Sequence, residues 1–119
     1  MDEYKLYEAE FKFMDIIWKH EPVNSTELTK LCYQLLGWKK STTYTMIKKL
    51  SERGMLSSQN AIVTALIRRE QVQKYESELL IEKAFNNNLP AFLAAFLKDR
   101  KISKQEAEDI KKMIEEASK

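Results

Sequence analysis

Two amphipathic helical stripes separated by a short turn constrain this chain more than any other feature. Leu28, Leu31, Cys32 and Leu35 recur at i, i+3, i+4 and i+7, and Thr43, Met46, Ile47 and Leu50 repeat that spacing. Each set lines one side of a helix. Asn24 is placed to cap the first helix, and Glu27 three residues on completes a capping-box pattern. Gly37 closes that helix, and Trp38, Lys39 and Lys40 lead into the next, which Ser41 is placed to cap. Gly54 stands just past the second helix, where a left-handed residue commonly terminates one. Two helices joined by so tight a turn predict a helix–turn–helix, with Trp38 plugging the junction between them.

The outer side of the second helix is chemically distinctive. Ser41, Thr42, Tyr44, Thr45, Lys48, Lys49 and Glu52 all lie off the apolar stripe. Between Trp38 and Arg53 there are five cations (Lys39, Lys40, Lys48, Lys49 and Arg53) against one anion, Glu52. Ammonium groups with short-range hydroxyl and phenol donors suit phosphates and base edges. A solvated helix in any small domain fits the same pattern, since local basic clusters are common. The formal charge of the 119-residue chain is only +2, so the electrostatic argument is a local one.

Around this pair the remaining elements fall into order. Phe11, Met14 and Trp18, with Phe13 and Ile17 beside them, predict a broadly buried helix from about Tyr7 to Lys19, ended by His20, Glu21 and Pro22. His20 is expected exposed and structural, and Cys32 is expected buried as a small hydrophobe. After Gly54, Met55–Ser58, a turn at Gln59-Asn60, and Ala61–Ile67 with its β-branched residues predict a two-stranded hairpin. Three helices and a hairpin make a winged helix–turn–helix. No Lys or Arg occurs in this wing before Arg68 and Arg69, so its tip is expected to add little to phosphate binding.

From about Arg69 to Asn86 a longer helix follows, with Val72, Tyr75, Leu79, Leu80, Ala84 and Phe85 as its apolar positions. Asn86, Asn87 and Asn88 interrupt it, and Pro90 suits the first turn of another helix. Phe92, Leu93, Phe96 and Leu97 make that helix apolar nearly all round. A last helix begins at Ser103, with Glu106 completing a capping box and Ile102 with Ala107 forming a staple. Ala107, Ile110, Met113 and Ile114 form its inner stripe. So much apolar surface in so short a chain predicts cover by a second subunit. The expected interface is Leu79, Leu80, Phe85, Phe92, Leu93, Phe96, Leu97, Ile110, Met113 and Ile114. The composition shift near residue 70 divides a reading head, 1–69, from a helical dimerisation segment, 70–119.

Composition sets the limits. With 2 Gly and 2 Pro the chain has few breaks, which favours a mainly α protein, and at 44% hydrophobic and 32% charged it is globular. One Cys forbids an internal disulfide and suits a reducing cytoplasm, the expected location. One His and one Cys make no transition-metal cluster, so neither metal nor cofactor is expected. Met1–Lys5 leads straight into a charged amphipathic segment rather than a signal peptide. The longest apolar run, Ala91–Leu97, is too short to span a bilayer, so no membrane partner is expected. No nucleophile–base pair and no Gly-rich phosphate loop occurs, which argues against an enzyme.

With these elements placed, the chain resembles the penicillinase repressor family, which also includes methicillin-resistance and copper-operon repressors. Ala9-Glu10-Phe11, Phe13-Met14 and Ile16-Ile17-Trp18 resemble the family's opening A-E-W-x-V-M-x-I-I-W. Trp38, Thr42, Thr45, Ile47, Leu50 and Gly54 resemble its recognition segment, and the likeness covers nearly the whole chain. It implies a homodimeric winged-helix repressor bound to a pseudo-palindromic operator, with the helices after the wing forming the dimer. Where the family has Ser or Thr directly after the Trp, this chain has Lys39. Beta-lactam-responsive members are cleaved at an Asn-Phe bond, where this chain has Ala95-Phe96. Copper-responsive members carry a C-terminal cysteine motif, whereas no Cys follows Cys32 here.

The expectation is therefore a transcriptional repressor that reads double-stranded operator DNA through helix 41–53. Ser41, Thr42, Tyr44, Thr45 and Lys48 would enter the major groove, and Lys39, Lys40, Lys49 and Arg53 would neutralise phosphates. The inducing signal, a protease or a ligand, is left open. The competing expectation is a winged-helix module that binds protein rather than DNA, since a fold does not dictate a function.

Overall fold

A computed structural model describes residues 4–119. The order is α1 (Glu8–His20), β1 (Val23–Asn24), α2 (Ser25–Leu36), α3 (Lys40–Glu52), β2 (Leu56–Gln59), β3 (Ile62–Ala65), α4 (Arg69–Phe85), α5 (Leu89–Leu97) and α6 (Lys104–Ala117). The protein is mainly helical with a winged helix–turn–helix, as its residue pattern requires.

The hairpin pairs β2 and β3 in antiparallel register, Leu56 opposite Ala65 and Gln59 opposite Ile62. Its turn lies at Asn60-Ala61, one residue beyond the expected Gln59-Asn60. Both turn residues have positive φ, 53° and 64°, the primed geometry that matches strand twist. A third strand was not expected. β1 pairs with β3 through Val23 opposite Val63, giving the order β1-β3-β2. Two residues are too few to show an alternating pattern, so only the pairing reveals this strand.

Two compact units divide inside α4, one ending at Leu79 and the other running from Leu80 to Lys119. The expected division near residue 70 falls earlier because Val72, in the first turns of α4, is fully buried in the core of the first unit. That core gathers Phe13, Met14 and Ile17 of α1, Leu28 and Cys32 of α2, Leu50 of α3, and Met55, Leu56 and Val63 of the wing. Trp38 stacks on Phe13 with ring centroids 5.6 Å apart, which plugs the helix junction as expected. Trp18 donates its indole N–H to the Ile67 carbonyl at 2.9 Å and so ties α1 to the chain leaving the wing.

Three local expectations need correction. Leu35 is 61% exposed, because the last turn of α2 runs past the core and Leu36 and Trp38 close that end instead. Ser41 does not cap α3. Lys39 takes the extended cap conformation and its carbonyl accepts from Thr42 and Thr43, so the helix has already begun where Ser41 sits, and no side chain caps it. At α2 only half of the capping box forms: Asn24 accepts from the Thr26 N–H at 2.8 Å, while Glu27 stays on the surface.

In the second unit, Asn88 and Ser103 cap α5 and α6, and Ser103 and Glu106 complete the expected reciprocal box. Phe85 meets Phe92 edge-on at 5.4 Å and Phe92 stacks on Phe96 at 5.8 Å. No residue of α5 or α6 is buried.

Candidate nucleic-acid interface

The core holds α3 by one side and leaves the other in solvent. Thr43, Ile47 and Leu50 are buried, and Met46 is half-buried beside them. Burial pushes the Cys32 thiol above its ordinary range, so Cys32 is an unreactive packing residue. Ser41, Thr42, Tyr44, Thr45 and Lys48 all face outward. A rigid backbone thus presents hydroxyls, a phenol and an ammonium along one line, a set that reaches base edges and phosphates.

The five cations of this segment fall into two groups. Lys39, Lys40 and Lys48 are exposed and have no ion-pair partner among the described residues. Lys49 and Arg53 instead converge on Glu10 of α1, whose side chain is only 2% exposed. Arg53 Nη1 donates to Glu10 Oε1 at 3.1 Å, and Nη2 donates to the Lys5 carbonyl. Lys49 Nζ stands 2.9 Å from Oε2, at ion-pair distance. The Tyr7 N–H donates to Oε1 at 2.9 Å. Burial disfavours the Glu10 carboxylate, but Lys49, the Tyr7 N–H and Arg53 outweigh it and hold the carboxyl below its usual range. The C-terminal end of α3 is thereby bolted to α1.

The wing offers hydroxyls and amides instead of charge. Ser58, Gln59 and Asn60 are exposed, while the cations that follow the wing are engaged. Arg68 pairs with Glu21 at 3.0 Å and donates to the Ala65 carbonyl at 2.7 Å. Arg69 pairs with Asp15 and lies over the Trp18 ring. Burial also opposes ionisation of Asp15, yet Lys19 and Arg69 hold its carboxyl below the usual range.

Two groups of residues near α3 escaped the sequence reading. Glu10 begins the stripe continued by Phe13, Met14 and Ile17 at i+3, i+4 and i+7; an acid in an apolar stripe is the signal that marks it. Lys30, Tyr33 and Gln34 of α2, with Thr29, line a groove that Lys40 of α3 completes. Their polarity reads as ordinary surface until α3 is seen beside them. His20 is exposed with Nδ1 2.8 Å from the Ile16 carbonyl, and no cluster of metal-binding side chains exists among the described residues.

A packed helix–turn–helix, a hairpin after it and a donor-rich outer face on the second helix define a winged helix–turn–helix protein of the DNA-binding regulator class. The chain belongs to the penicillinase repressor family, whose profile it matches over residues 6–116. It is 24% identical to the penicillinase repressor of Bacillus licheniformis over 94% of this chain and 91% of that one. It is 21% identical to the methicillin resistance regulatory protein MecI of Staphylococcus aureus, over 93% of this chain and 94% of the relative. The solution structure of the DNA binding domain of the repressor BlaI superposes with a TM-score of 0.51 at 28% identity, covering 55% of this chain and 84% of that domain. Membership in this family makes the chain a transcriptional regulator, not an enzyme. No helix among the described residues is long and apolar enough to cross a membrane.

Proposed function

We propose that this chain is the subunit of a homodimeric transcriptional repressor that reads a pseudo-palindromic operator with α3. The observation that carries the reading is the outward line Ser41, Thr42, Tyr44, Thr45 and Lys48 on a helix whose other side is buried. Lys39 and Lys40 extend it with charge. Two copies place two such helices about 34–36 Å apart, one turn of duplex. Self-association runs through the apolar surface of α4–α6, where Leu80, Phe96, Met113 and Ile114 are exposed in the single chain. Occupancy of a promoter then blocks transcription with no chemistry, in the cytoplasm where the DNA lies.

The test titrates a duplex from the protein's own promoter region against a scrambled duplex at two salt concentrations. Selective binding of two subunits per site is expected, with affinity falling steeply as salt rises. Lys48→Ala should weaken operator binding; unchanged affinity would remove this face from the interface. Weak binding that ignores sequence would favour the protein-interaction reading, to which the charge-poor wing lends some weight.

A further inference from the structure

We infer that α2 carries a separate phosphate clamp, in which Lys30, Tyr33 and Gln34, closed by Lys40 of α3, grip the DNA backbone beside the groove that α3 enters. The inference rests on the operator-binding reading and adds residues and a role to it.

Lys30, Tyr33 and Gln34 stand at i, i+3 and i+4, so they share one side of α2. All three are exposed, Tyr33 at 70%. None of the three side chains has a hydrogen-bond or ion-pair partner among the described residues. The groove they line with Thr29 and Lys40 contains no carboxylate, and Glu27, the single acid of α2, is not among its walls.

The chemistry of the walls selects the occupant. Two ammonium groups carry only donors, and the Tyr33 phenol and Gln34 amide each add a donor beside an acceptor, so donors and positive charge predominate in this groove. Base edges present donors as well as acceptors, in a pattern that depends on sequence, whereas phosphates present acceptors and negative charge only. An acidic peptide would also bring acceptors. Continuity decides for DNA, because Lys40 belongs at once to this groove and to the start of the α3 face. In helix–turn–helix docking the first helix crosses the backbone while the second lies in the groove. An exposed aromatic ring with a free O–H suits that crossing, since the ring can lie along the sugar edge while the hydroxyl reaches a phosphate oxygen.

A backbone clamp has an experimental signature that base readers lack. Each lysine–phosphate contact releases counterions, so its loss flattens the salt dependence and weakens all sequences alike. The experiment uses the full chain, the promoter duplex and the scrambled duplex, with gel-shift titrations across a salt series. Lys30→Gln should weaken both duplexes by the same factor, on the order of tenfold, and should reduce the salt slope by about one unit per subunit. Tyr33→Phe should weaken both duplexes by a smaller common factor with the slope unchanged, because it removes a neutral donor. Both side chains are exposed, so unchanged thermal melting is expected and confirms intact folding.

Unchanged affinity and slope in Lys30→Gln would overturn the clamp. A loss confined to the promoter duplex would also overturn it, by making Lys30 a base reader. Failure of the wild-type chain to bind any duplex, with binding to polyglutamate instead, would overturn it in favour of an acidic peptide. Wild-type binding that ignores sequence but loses a slope unit in Lys30→Gln would sink the operator reading and leave the clamp standing.

Discussion

The two halves of this chain solve the burial of apolar surface differently. Every buried hydrophobic side chain among the described residues lies between Leu6 and Val72. In α5 and α6 none is buried, although Phe96, Met113 and Ile114 are 49%, 67% and 51% exposed. The head closes its core on itself, because each stripe of α1, α2 and α3 meets another stripe or the inner side of the wing. The tail has an apolar α5 and a regular stripe on α6, and neither meets anything of comparable extent within its own unit. An amphipathic pattern therefore states that a surface needs cover without stating which molecule supplies it.

The largest expected effect tests the self-sufficiency of the head. Phe13→Ala removes a fully buried ring stacked on Trp38 and should cost about 3–5 kcal/mol, measured by denaturant titration with far-UV circular dichroism. An effect under about 1 kcal/mol would show that the core is not closed at that point. Phe96→Asp tests the opposite claim about the tail. A charge placed in the proposed dimer contact should dissociate it, by roughly 3 kcal/mol or two orders of magnitude in Kd, with no loss of head stability. A dimer that persists in sedimentation equilibrium would move the interface away from Phe96.

A smaller effect concerns the bolt between α1 and α3. Glu10→Gln should destabilise the head by about 2 kcal/mol, less than the usual loss for a broken buried pair, because Lys49 and Arg53 remain partly solvated. The folded carboxyl lies below its ordinary value of 4.5. Its contribution is therefore complete above the unfolded value and is lost as pH falls through the folded one. Wild-type stability should drop on acidification through that window, and the Glu10→Gln protein should drop less; parallel curves would show that Glu10 is not the titrating group. The remaining acid sensitivity is assigned to Asp15, which is shifted in the same direction. The smallest effect is a gain. Ala61 sits at φ 64° in the wing turn, so Ala61→Gly should stabilise the head by up to about 1 kcal/mol by relieving a left-handed non-glycine; a loss of stability would contradict the primed turn.

What the residues reveal on their own follows from range. Helix spacing, the Ser103–Glu106 cap, the Asn86–Asn88 break and the hairpin are local, and each is legible from a few neighbours. The outward direction of Thr42, Tyr44, Thr45 and Lys48 is legible for the same reason, since one stripe fixes its opposite. The destination of Arg53 is not, because Glu10 lies 43 residues away and nothing in either segment names the other. β1 exists only through its pairing with β3. The start of α3 depends on the backbone conformation of Lys39, a residue without a capping side chain, so the better capper at Ser41 points two positions too far along. The groove on α2 needed Lys40 beside Tyr33, which only the packed pair of helices supplies.

The placement of Trp18 and Trp38 has an optical consequence. They are the chain's 2 tryptophans, both partly buried against the core, and the 5 tyrosines, ending at Tyr75, also precede Leu80. Emission excited at the red edge of indole absorption thus originates in the head alone. Helices α5 and α6 enter far-UV ellipticity but carry no indole or phenol. A denaturation followed by both signals separates the two halves without any label: superposed curves mean that they unfold together, and an ellipticity transition at constant emission isolates the tail.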